Sequence, residues 1–232
     1  MIRALIETSL VDWDGKITTV LFFDQCNLRC IFCQNWELIL HPERFAEVSL
    51  DKIYKILKAK KNWVDGVVLT GGEPLLFFDE VIEISRKIKR LGMAVKIDTN
   101  GTFPDRLKEL IKDKIVDYVA MDIKAPLEIF YLAVMGKEDF PSILGGIKKS
   151  ISILLEGNID YEFRTTCVPG IIDEGTIEKI GVEIKGARRW VLQRFVPENA
   201  YKEELRDKRY SPEELNSLLK KAQYYVPNAK LR

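Results

Sequence analysis

Short apolar runs alternate with longer amphipathic segments along most of the sequence. The apolar runs are rich in β-branched and aromatic residues, as in 17–23 (ITTVLFF), which is typical of buried strands. The longer segments repeat apolar residues at helical spacing, as in 50–60, where Leu50, Ile53 and Leu57 share one face. Strands are predicted at 17–23, 66–70, 93–98, 116–123, 161–166 and 190–196. Helices are predicted at 50–60, 79–91, 104–112, within 141–155, at 173–182 and at 212–223.

This alternation amounts to about six strand–helix units, which favours an α/β fold with a parallel sheet and helices outside it. Six units are too few for a closed eight-unit barrel, which typically needs about 250 residues. The pattern by itself is compatible with an incomplete barrel or with an open doubly wound sheet. We find no repeat, low-complexity tract or Gly/Pro/Ser-rich linker, so residues 1–232 are predicted to form a single domain.

Polar and ligand-type residues follow the predicted strands at the point where each strand ends. In parallel α/β folds these carboxyl ends meet at one mouth, where functional residues gather. The clusters, in strand order, are 26–33, 71–74, 98–101, 122–124, 164–169 and 193–194. We therefore expect the six clusters to form one site.

Composition and charge narrow the class of protein. With 47% hydrophobic and 31% charged residues in a chain of 232, a large core can form, which excludes an intrinsically disordered chain. The formal net charge of +1 gives no bulk electrostatic case for nucleic acid or an anionic membrane. No stretch approaches roughly 18 uncharged apolar residues, and residues 1–10 lack the apolar run of a signal peptide. A cytoplasmic protein is predicted.

Three of the four cysteines, Cys26, Cys30 and Cys33, lie within eight residues, which suggests a metal site in a reducing compartment. Three thiolates would leave one iron of a four-iron cluster without a protein ligand, and an open position is typical of catalytic centres. One alternative is structural zinc, with His41, the single histidine, as fourth ligand. Another is a set of unrelated buried cysteines. Cys167 is predicted to be a packing residue.

The spacing Cys26-x-x-x-Cys30-x-Phe32-Cys33 resembles the cysteine motif of the radical S-adenosylmethionine superfamily. Residues 71–74 (GGEP) resemble the glycine-rich cofactor motif of the same family. The resemblance covers nearly the whole chain and implies an incomplete (β/α)6 TIM-like barrel with the cluster loop at 24–36. It also implies a [4Fe-4S] cluster held by the three cysteines, with S-adenosylmethionine on the open iron.

Within that superfamily, the chain more closely resembles the activating enzymes of glycyl radical enzymes, in particular the anaerobic ribonucleotide reductase activating proteins. Similar motifs occur at 8–16 (TSLVDWDGK), 98–101 (DTNG), 121–124 (MDIK) and 164–166 (RTT). Two positions depart from the pattern. Gln34 replaces the histidine of a Cys-His-Asn motif, and Gln193 stands where some relatives carry histidine. We assign neither glutamine a role.

The resemblance implies where two parts of the cofactor bind. Gly71 and Gly72 would present backbone groups to the methionine amino group, because two glycines allow a ligand to approach the backbone closely. Glu73 is expected nearby. Phe32 and Val168 are expected to flank the adenine. An ordinary turn before Pro74 is the alternative for the glycine pair.

The resemblance also implies roles for the charged strand ends. Asp98 and Asp122 are assigned to the cofactor's amino group, and Lys124 to its carboxylate or ribose. Arg164 would be costly to bury unpaired, so it either orients the cofactor carboxylate or pairs with Asp122 across the mouth. Asn35 is a candidate ribose contact. No catalytic residue is predicted beyond the cluster and the cofactor.

The predicted function is reductive cleavage of S-adenosylmethionine to a 5′-deoxyadenosyl radical that installs a glycyl radical on a partner enzyme. A flavodoxin or ferredoxin is the expected electron donor, because the chain has no second set of cysteines for an auxiliary cluster. One alternative is a radical enzyme for a small molecule, similar to 7-carboxy-7-deazaguanine synthase. Another is a non-catalytic iron–sulfur or zinc binding protein.

Overall fold

The computed structural model describes residues 1–134 and 139–232. It contains one eight-stranded sheet whose strand order follows the chain order. The first two strands are antiparallel, and every later neighbouring pair is parallel. The strands are β1 (Ile2–Ser9), β2 (Thr18–Phe23), β3 (Gly66–Gly71), β4 (Ala94–Thr99), β5 (Tyr118–Asp122), β6 (Asp160–Cys167), β7 (Trp190–Arg194) and β8 (Lys230–Leu231).

The helices connect the parallel strands. They are α1 (Trp36–Leu40), α2 (Leu50–Ala59), α3 (Phe78–Arg90), α4 (Pro104–Lys112), α5 (Phe130–Ala133), α6 (Phe140–Leu155), α7 (Glu174–Glu183) and α8 (Pro212–Tyr225). Four begin at capping residues: Ser49, Asp139, Asp173 and Ser211 each accept a hydrogen bond from the backbone N–H three residues later. None of the helices in the described ranges is long and apolar enough to cross a membrane.

The predicted α/β fold with a parallel sheet is confirmed, and the six predicted strands correspond to β2–β7. Because strand order follows chain order, the doubly wound alternative, in which the order reverses, is excluded. The sheet is not closed, since β1 and β8 are its two edges. Neither edge strand is predicted by the sequence pattern: residues 6–8 of β1 are exposed, and β8 has only two residues.

The two faces of the sheet are different environments. The helices cover one face, where alternate strand residues such as Val95, Ile97 and Phe163 join a large apolar core. The intervening residues point to the opposite face, which we call the inner face. A second, small cluster of buried residues lies there and consists of Trp13, Val20, Val68 and Tyr118.

The loop between β1 and β2 packs over the inner face. Trp13 is buried, and its ring centroid lies 5.5 Å from that of Tyr118. Gly66 makes room for the indole, because a Cβ at that position would lie 2.9 Å from a Trp13 ring atom. Asp14 forms an ion pair with Arg232, 2.8 Å apart. The loop therefore connects the first hairpin of the sheet with the end of the chain that follows β8.

Candidate active site

A cavity of about 360 Å³ lies at the carboxyl ends of the parallel strands, within the size range of small-molecule sites. Residues that end or follow each of β2–β7 line it, so the six strand ends meet at one mouth as the sequence pattern predicts. The predicted site residues that line the cavity are Cys26, Cys30, Phe32, Cys33, Asn35, Gly71, Gly72, Asp98, Asp122, Lys124 and Arg164.

The cysteine loop spans residues 24–35, between β2 and α1, and is held by distant segments of the chain. The Ile31 N–H donates to the carbonyl of Ala133, in α5. The Tyr201 N–H donates to the carbonyl of Cys33 at 3.1 Å, and the Lys202 N–H donates to that of Ile31 at 2.9 Å. These backbone contacts fix the loop without using the thiols, so all three sulfur atoms are left for another ligand.

The free thiols are protonated at neutral pH. Burial raises the pKa of Cys26 to about 12 and that of Cys30 to about 11, and it also raises the pKa of Cys33. Two N–H donors already point at one sulfur, since the Leu28 N–H and the Asn100 amide lie 3.4 and 3.8 Å from Cys26 Sγ. Iron binds the thiolate, so binding would release these protons.

The arrangement of donors distinguishes a cluster from a single zinc ion. In residues 1–134 and 139–232, no three His, Cys, Asp or Glu side chains are grouped so that they could hold one metal ion. His41 does not supply a fourth ligand: its Nδ1 lies 3.5 Å from Glu43 Oε1, away from the cavity. Zinc needs its ligands on one atom. The thiolates of an iron–sulfur cluster bind different irons, and the three thiols fit that donor set.

The glycine pair packs against the start of the cysteine loop. Gly71 has a φ of +107°, and a Cβ there would lie 2.5 Å from the backbone N of Phe23. At Gly72, a Cβ would lie 1.9 Å from the carbonyl oxygen of Gln25. The absence of side chains therefore permits close contact between β3 and this loop. Both glycines also line the cavity, and the Gly72 N–H donates to the carbonyl of Phe23 at 2.8 Å.

Glu73 and Val168 lie outside the cavity lining, although both are predicted site residues. Glu73 is completely buried and accepts hydrogen bonds from the backbone N–H groups of Leu75 and Asn100 and from Thr99 Oγ1. Burial raises its pKa to about 7. Val168 is completely buried in the apolar core. Glu73 thus holds together the ends of β3 and β4.

Four charged side chains that line the cavity form a connected group. Arg164 donates from Nε to Asp122 Oδ1 and from a terminal nitrogen to Asp98 Oδ2, both at 2.8 Å. Lys124 Nζ lies 3.3 Å from the other oxygen of Asp122. Although burial works against the ionised form, Arg164 and Lys124 hold the pKa of Asp122 below its usual range. The pairing alternative for Arg164 is therefore observed, with two aspartates rather than one.

Asp98 has one oxygen that lies in the protein interior, 3.4 Å from Lys96 Nζ. Its Oδ1 is buried, and no donor among the described residues forms a hydrogen bond with it. Leaving a buried carboxylate oxygen without a donor is unfavourable. The ion pair with Lys96 offsets part of this cost, and the Asp98 side chain also lines the cavity. Asp122, by contrast, has both oxygens engaged.

The remaining predicted contacts lie near the cysteine loop. Phe32 is buried beside the cavity. The Asn35 side-chain amide donates to the carbonyl of Gly71 at 3.0 Å, which anchors the end of the loop to β3. Gln34 donates to the carbonyl of Val196 at 3.0 Å, and Gln193 also lines the cavity. Gln34 therefore connects the cysteine loop with the segment that follows β7.

The sequence reasoning missed two residues that contact the cysteine loop. Asn100 donates to Asn27 Oδ1 at 2.9 Å and points its amide at Cys26 Sγ. Arg29 donates to the carbonyl of Cys26 at 2.6 Å. Asn100 belongs to the DTNG motif and could have been found there. Nothing in the sequence distinguishes Arg29 from an ordinary surface arginine.

Comparison with known proteins agrees with this geometry. Residues 20–179 match the family described as the Radical SAM superfamily. A protein of Methanocaldococcus jannaschii assigned as a glycyl-radical enzyme activating enzyme is 36% identical over 233 residues, which cover 100% of this chain and 95% of that protein. The pyruvate formate-lyase-activating enzyme of Clostridium pasteurianum is 34% identical over 139 residues, 59% of this chain and 57% of that enzyme.

A solved structure supports the fold. The crystal structure of Streptococcus suis SuiB bound to S-adenosylmethionine aligns with a TM-score of 0.68 at 17% identity. The alignment covers 92% of this chain and 51% of SuiB, so the chain spans about half the length of that structure. The predicted family is confirmed by the match of residues 20–179 and by the full-length relative. The chain belongs to the radical S-adenosylmethionine superfamily of enzymes.

Proposed function

We propose that this chain holds a [4Fe-4S] cluster, reductively cleaves S-adenosylmethionine, and installs a glycyl radical on a partner enzyme such as an anaerobic ribonucleotide reductase. One observation carries the proposal: three thiols of one loop and a connected group of two carboxylates and two cations line the same cavity. The choice of a glycyl radical enzyme as substrate is supported by relatives that are named as activating enzymes.

The cysteine loop would hold the cluster. Cys26, Cys30 and Cys33 would each bind one iron, which leaves one iron for the cofactor. Lys124 lies near these thiols: although burial opposes its charge, its pKa is raised by the Cys30 thiolate and by Asp122. A cation in this place would offset the negative charge of the three thiolates.

The cavity wall would hold S-adenosylmethionine. Its ammonium would bind Asp98, and its carboxylate would be bound by Lys124. Gly71 and Gly72 would offer backbone groups to the methionine end. Asn35 and Phe32, which flank the cysteine loop side of the cavity, would contact the ribose and the adenine. Arg164 would act indirectly, because it already holds Asp98 and Asp122 in place.

When bound, the cluster and S-adenosylmethionine would supply the radical chemistry: one electron from the donor would allow reductive cleavage of the S–C5′ bond, and a hydrogen atom from glycine Cα would end up in 5′-deoxyadenosine, with methionine and a glycyl radical as the other products. The electron would come from a flavodoxin or ferredoxin. The chain contributes orientation and electrostatics around this step.

The shape of the site suits a substrate that enters from a partner protein. Arg194 and Val196 line the cavity and are exposed, so the cavity reaches solvent at the end of β7. The sheet is open, with β1 and β8 at its two edges. A glycine-bearing loop of a partner could approach through this opening.

The first test uses two cysteine variants. Cys30→Ala is expected to abolish both cluster assembly and cleavage after anaerobic reconstitution with iron and sulfide, because it removes one of three ligands. Iron and sulfide content and 5′-deoxyadenosine, measured by chromatography after reduction, are the readouts. Cys167→Ala is the matched control, since Cys167 is buried outside the cavity and should keep both properties. An intact cluster and normal cleavage in Cys30→Ala would contradict the proposed site.

The second test identifies the substrate. The reconstituted protein is mixed with reductant, S-adenosylmethionine and each glycyl radical enzyme encoded by the host. A glycyl doublet in the electron paramagnetic resonance spectrum is expected with one of them. Cleavage of S-adenosylmethionine without a doublet from any of these enzymes would favour a small-molecule substrate instead.

A further inference from the structure

Lys96 is a completely buried lysine below the cavity, on the inner face of β4. Its Nζ donates to the carbonyl of Asp12 and lies 3.4 Å from Asp98 Oδ1 and 3.7 Å from Glu162 Oε1. The ring of Tyr118 lies 5.8 Å from Nζ. In the predicted strand 93–98, Lys96 is an ordinary strand residue, and its burial becomes visible only in the tertiary structure.

Burying a lysine ammonium costs several kcal/mol unless carboxylates and hydrogen bonds compensate for it. Lys96 has two carboxylates, yet they are not equivalent. Glu162 has other donors, because both terminal nitrogens of Arg232 lie 3.3 Å from its oxygens and Tyr118 donates to it at 3.2 Å. Asp98 has only Arg164 besides Lys96 among its charged neighbours in the described chain. Lys96 is therefore the cation that contacts Oδ1 of Asp98, whereas Arg164 contacts Oδ2.

Asp98 is held between two cations. Arg164 binds Oδ2 through a hydrogen bond, whereas Lys96 approaches Oδ1 without a hydrogen-bonding geometry. This arrangement restrains the carboxylate through both of its oxygens, while the Asp98 side chain lines the cavity. Lys96 itself does not line the cavity, so it has no direct access to a ligand there.

We infer that Lys96 is a positioning residue for S-adenosylmethionine, which holds Asp98 from below, in the part of the cavity wall where the ammonium group of the cofactor would bind. The inference rests on the proposed function, because it assumes that Asp98 receives that ammonium. It assigns a cofactor-binding role to a residue outside the cysteine and glycine motifs.

The experiment compares three variants of the reconstituted holoprotein. Lys96→Met keeps the side-chain length and removes the charge. Glu162→Gln is the matched control, because it removes the other carboxylate partner and leaves the contact between Lys96 and Asp98. The double variant Lys96→Met/Glu162→Gln restores the charge balance, so its affinity for the cofactor decides the question if Lys96→Met does not fold. Equilibrium dialysis of S-adenosylmethionine without reductant measures Kd, and cluster content and melting temperature are recorded alongside.

Lys96→Met and the double variant are expected to raise the Kd by about tenfold to a hundredfold, the range found when a residue that orients a ligand-binding group is removed. Glu162→Gln should change the Kd less than about twofold, although it lowers the melting temperature. With reductant, Lys96→Met should raise KM and leave kcat nearly unchanged, because only binding is weakened.

Two results would overturn the inference. If the wild-type protein binds S-adenosylmethionine and Lys96→Met binds it equally well, Lys96 has no positioning role, while the proposed function stands. If Glu162→Gln and Lys96→Met weaken binding equally, the effect is a general loss of structure. Failure of the wild-type holoprotein to bind the cofactor would overturn the proposed function together with this inference.

Discussion

The two faces of the same strands differ in how they are stabilised. On the helix-covered face, Ile97 of β4 and Phe163 of β6 are completely buried among apolar side chains. One residue along each strand, Asp98 and Arg164 point to the inner face and are joined by a 2.8 Å ion pair. Apolar contacts are non-directional, whereas a buried ion pair is favourable only when its geometry is nearly ideal. The outer face therefore stabilises the fold, and the inner face depends on that rigid fold to keep its charges in place.

The largest effect is expected from removing the central cation of the inner face. Arg164→Met leaves Asp98 and Asp122 without their shared hydrogen-bond donor. We expect a loss of about 3–5 kcal/mol in the free energy of unfolding, typical of a broken buried ion pair, together with loss of measurable S-adenosylmethionine binding. Denaturant unfolding and equilibrium dialysis measure the two effects.

Arg209→Met is the matched control for this prediction, because Arg209 pairs with Glu198 on the surface. Exposed ion pairs contribute little to stability, so this variant should unfold almost as the wild type does. If Arg164→Met and Arg209→Met lowered the free energy of unfolding equally, the charges of the inner face would contribute no more to stability than a surface ion pair does.

A smaller, purely structural effect is expected on the helix-covered face. Ile97→Ala should lower the free energy of unfolding by about 2–5 kcal/mol, because it leaves a cavity in the apolar core. The Kd for S-adenosylmethionine in the folded holoprotein should stay within about twofold, since Asp98 keeps both cations. A tenfold change in Kd would mean that the two faces of β4 cannot be separated in this way.

The smallest effect on the free energy of unfolding is expected at Glu73. The pKa of this carboxyl group is shifted in the opposite direction to that of Asp122. Cations lower the pKa of Asp122, whereas the three donors to Glu73 are neutral and burial raises its pKa from 4.5 to about 7. Between pH 4.5 and about pH 7, Glu73 is ionised in the unfolded chain but still protonated in the folded protein. This carboxyl group therefore favours folding fully below about pH 4.5, and the contribution is lost as the pH rises to about 7.

Glu73→Gln should remove that dependence. The difference in the free energy of unfolding between wild type and variant is expected to change by about 2 kcal/mol between pH 5 and pH 7 and to be constant above pH 8. Denaturant titrations at each pH measure it. A difference that is the same at every pH would show that Glu73 is already ionised in the folded protein at pH 5.

Several parts of the site were predictable because they are local in the sequence. The spacing of Cys26, Cys30 and Cys33 and the position of each polar cluster after a strand could be read directly, since parallel strands place their carboxyl ends together. The partners of these groups were not predictable. Arg164 was expected either to orient the cofactor carboxylate or to pair with Asp122, and it contacts two aspartates. Glu73 was expected near the cofactor and is buried outside the cavity lining.

The sequence alone determined the family, the six parallel strands and the edge of the sheet at which the site forms, because hydrophobic period and motif spacing are properties of short segments. The tertiary structure decided which charges meet. Lys96 and Glu162 are 66 residues apart in sequence number, yet their charged atoms lie 3.7 Å apart on the inner face. Contacts of this kind depend on the register of strands that are separated along the chain and on a loop, residues 10–17, that covers them. Short-range patterns carry no information on either.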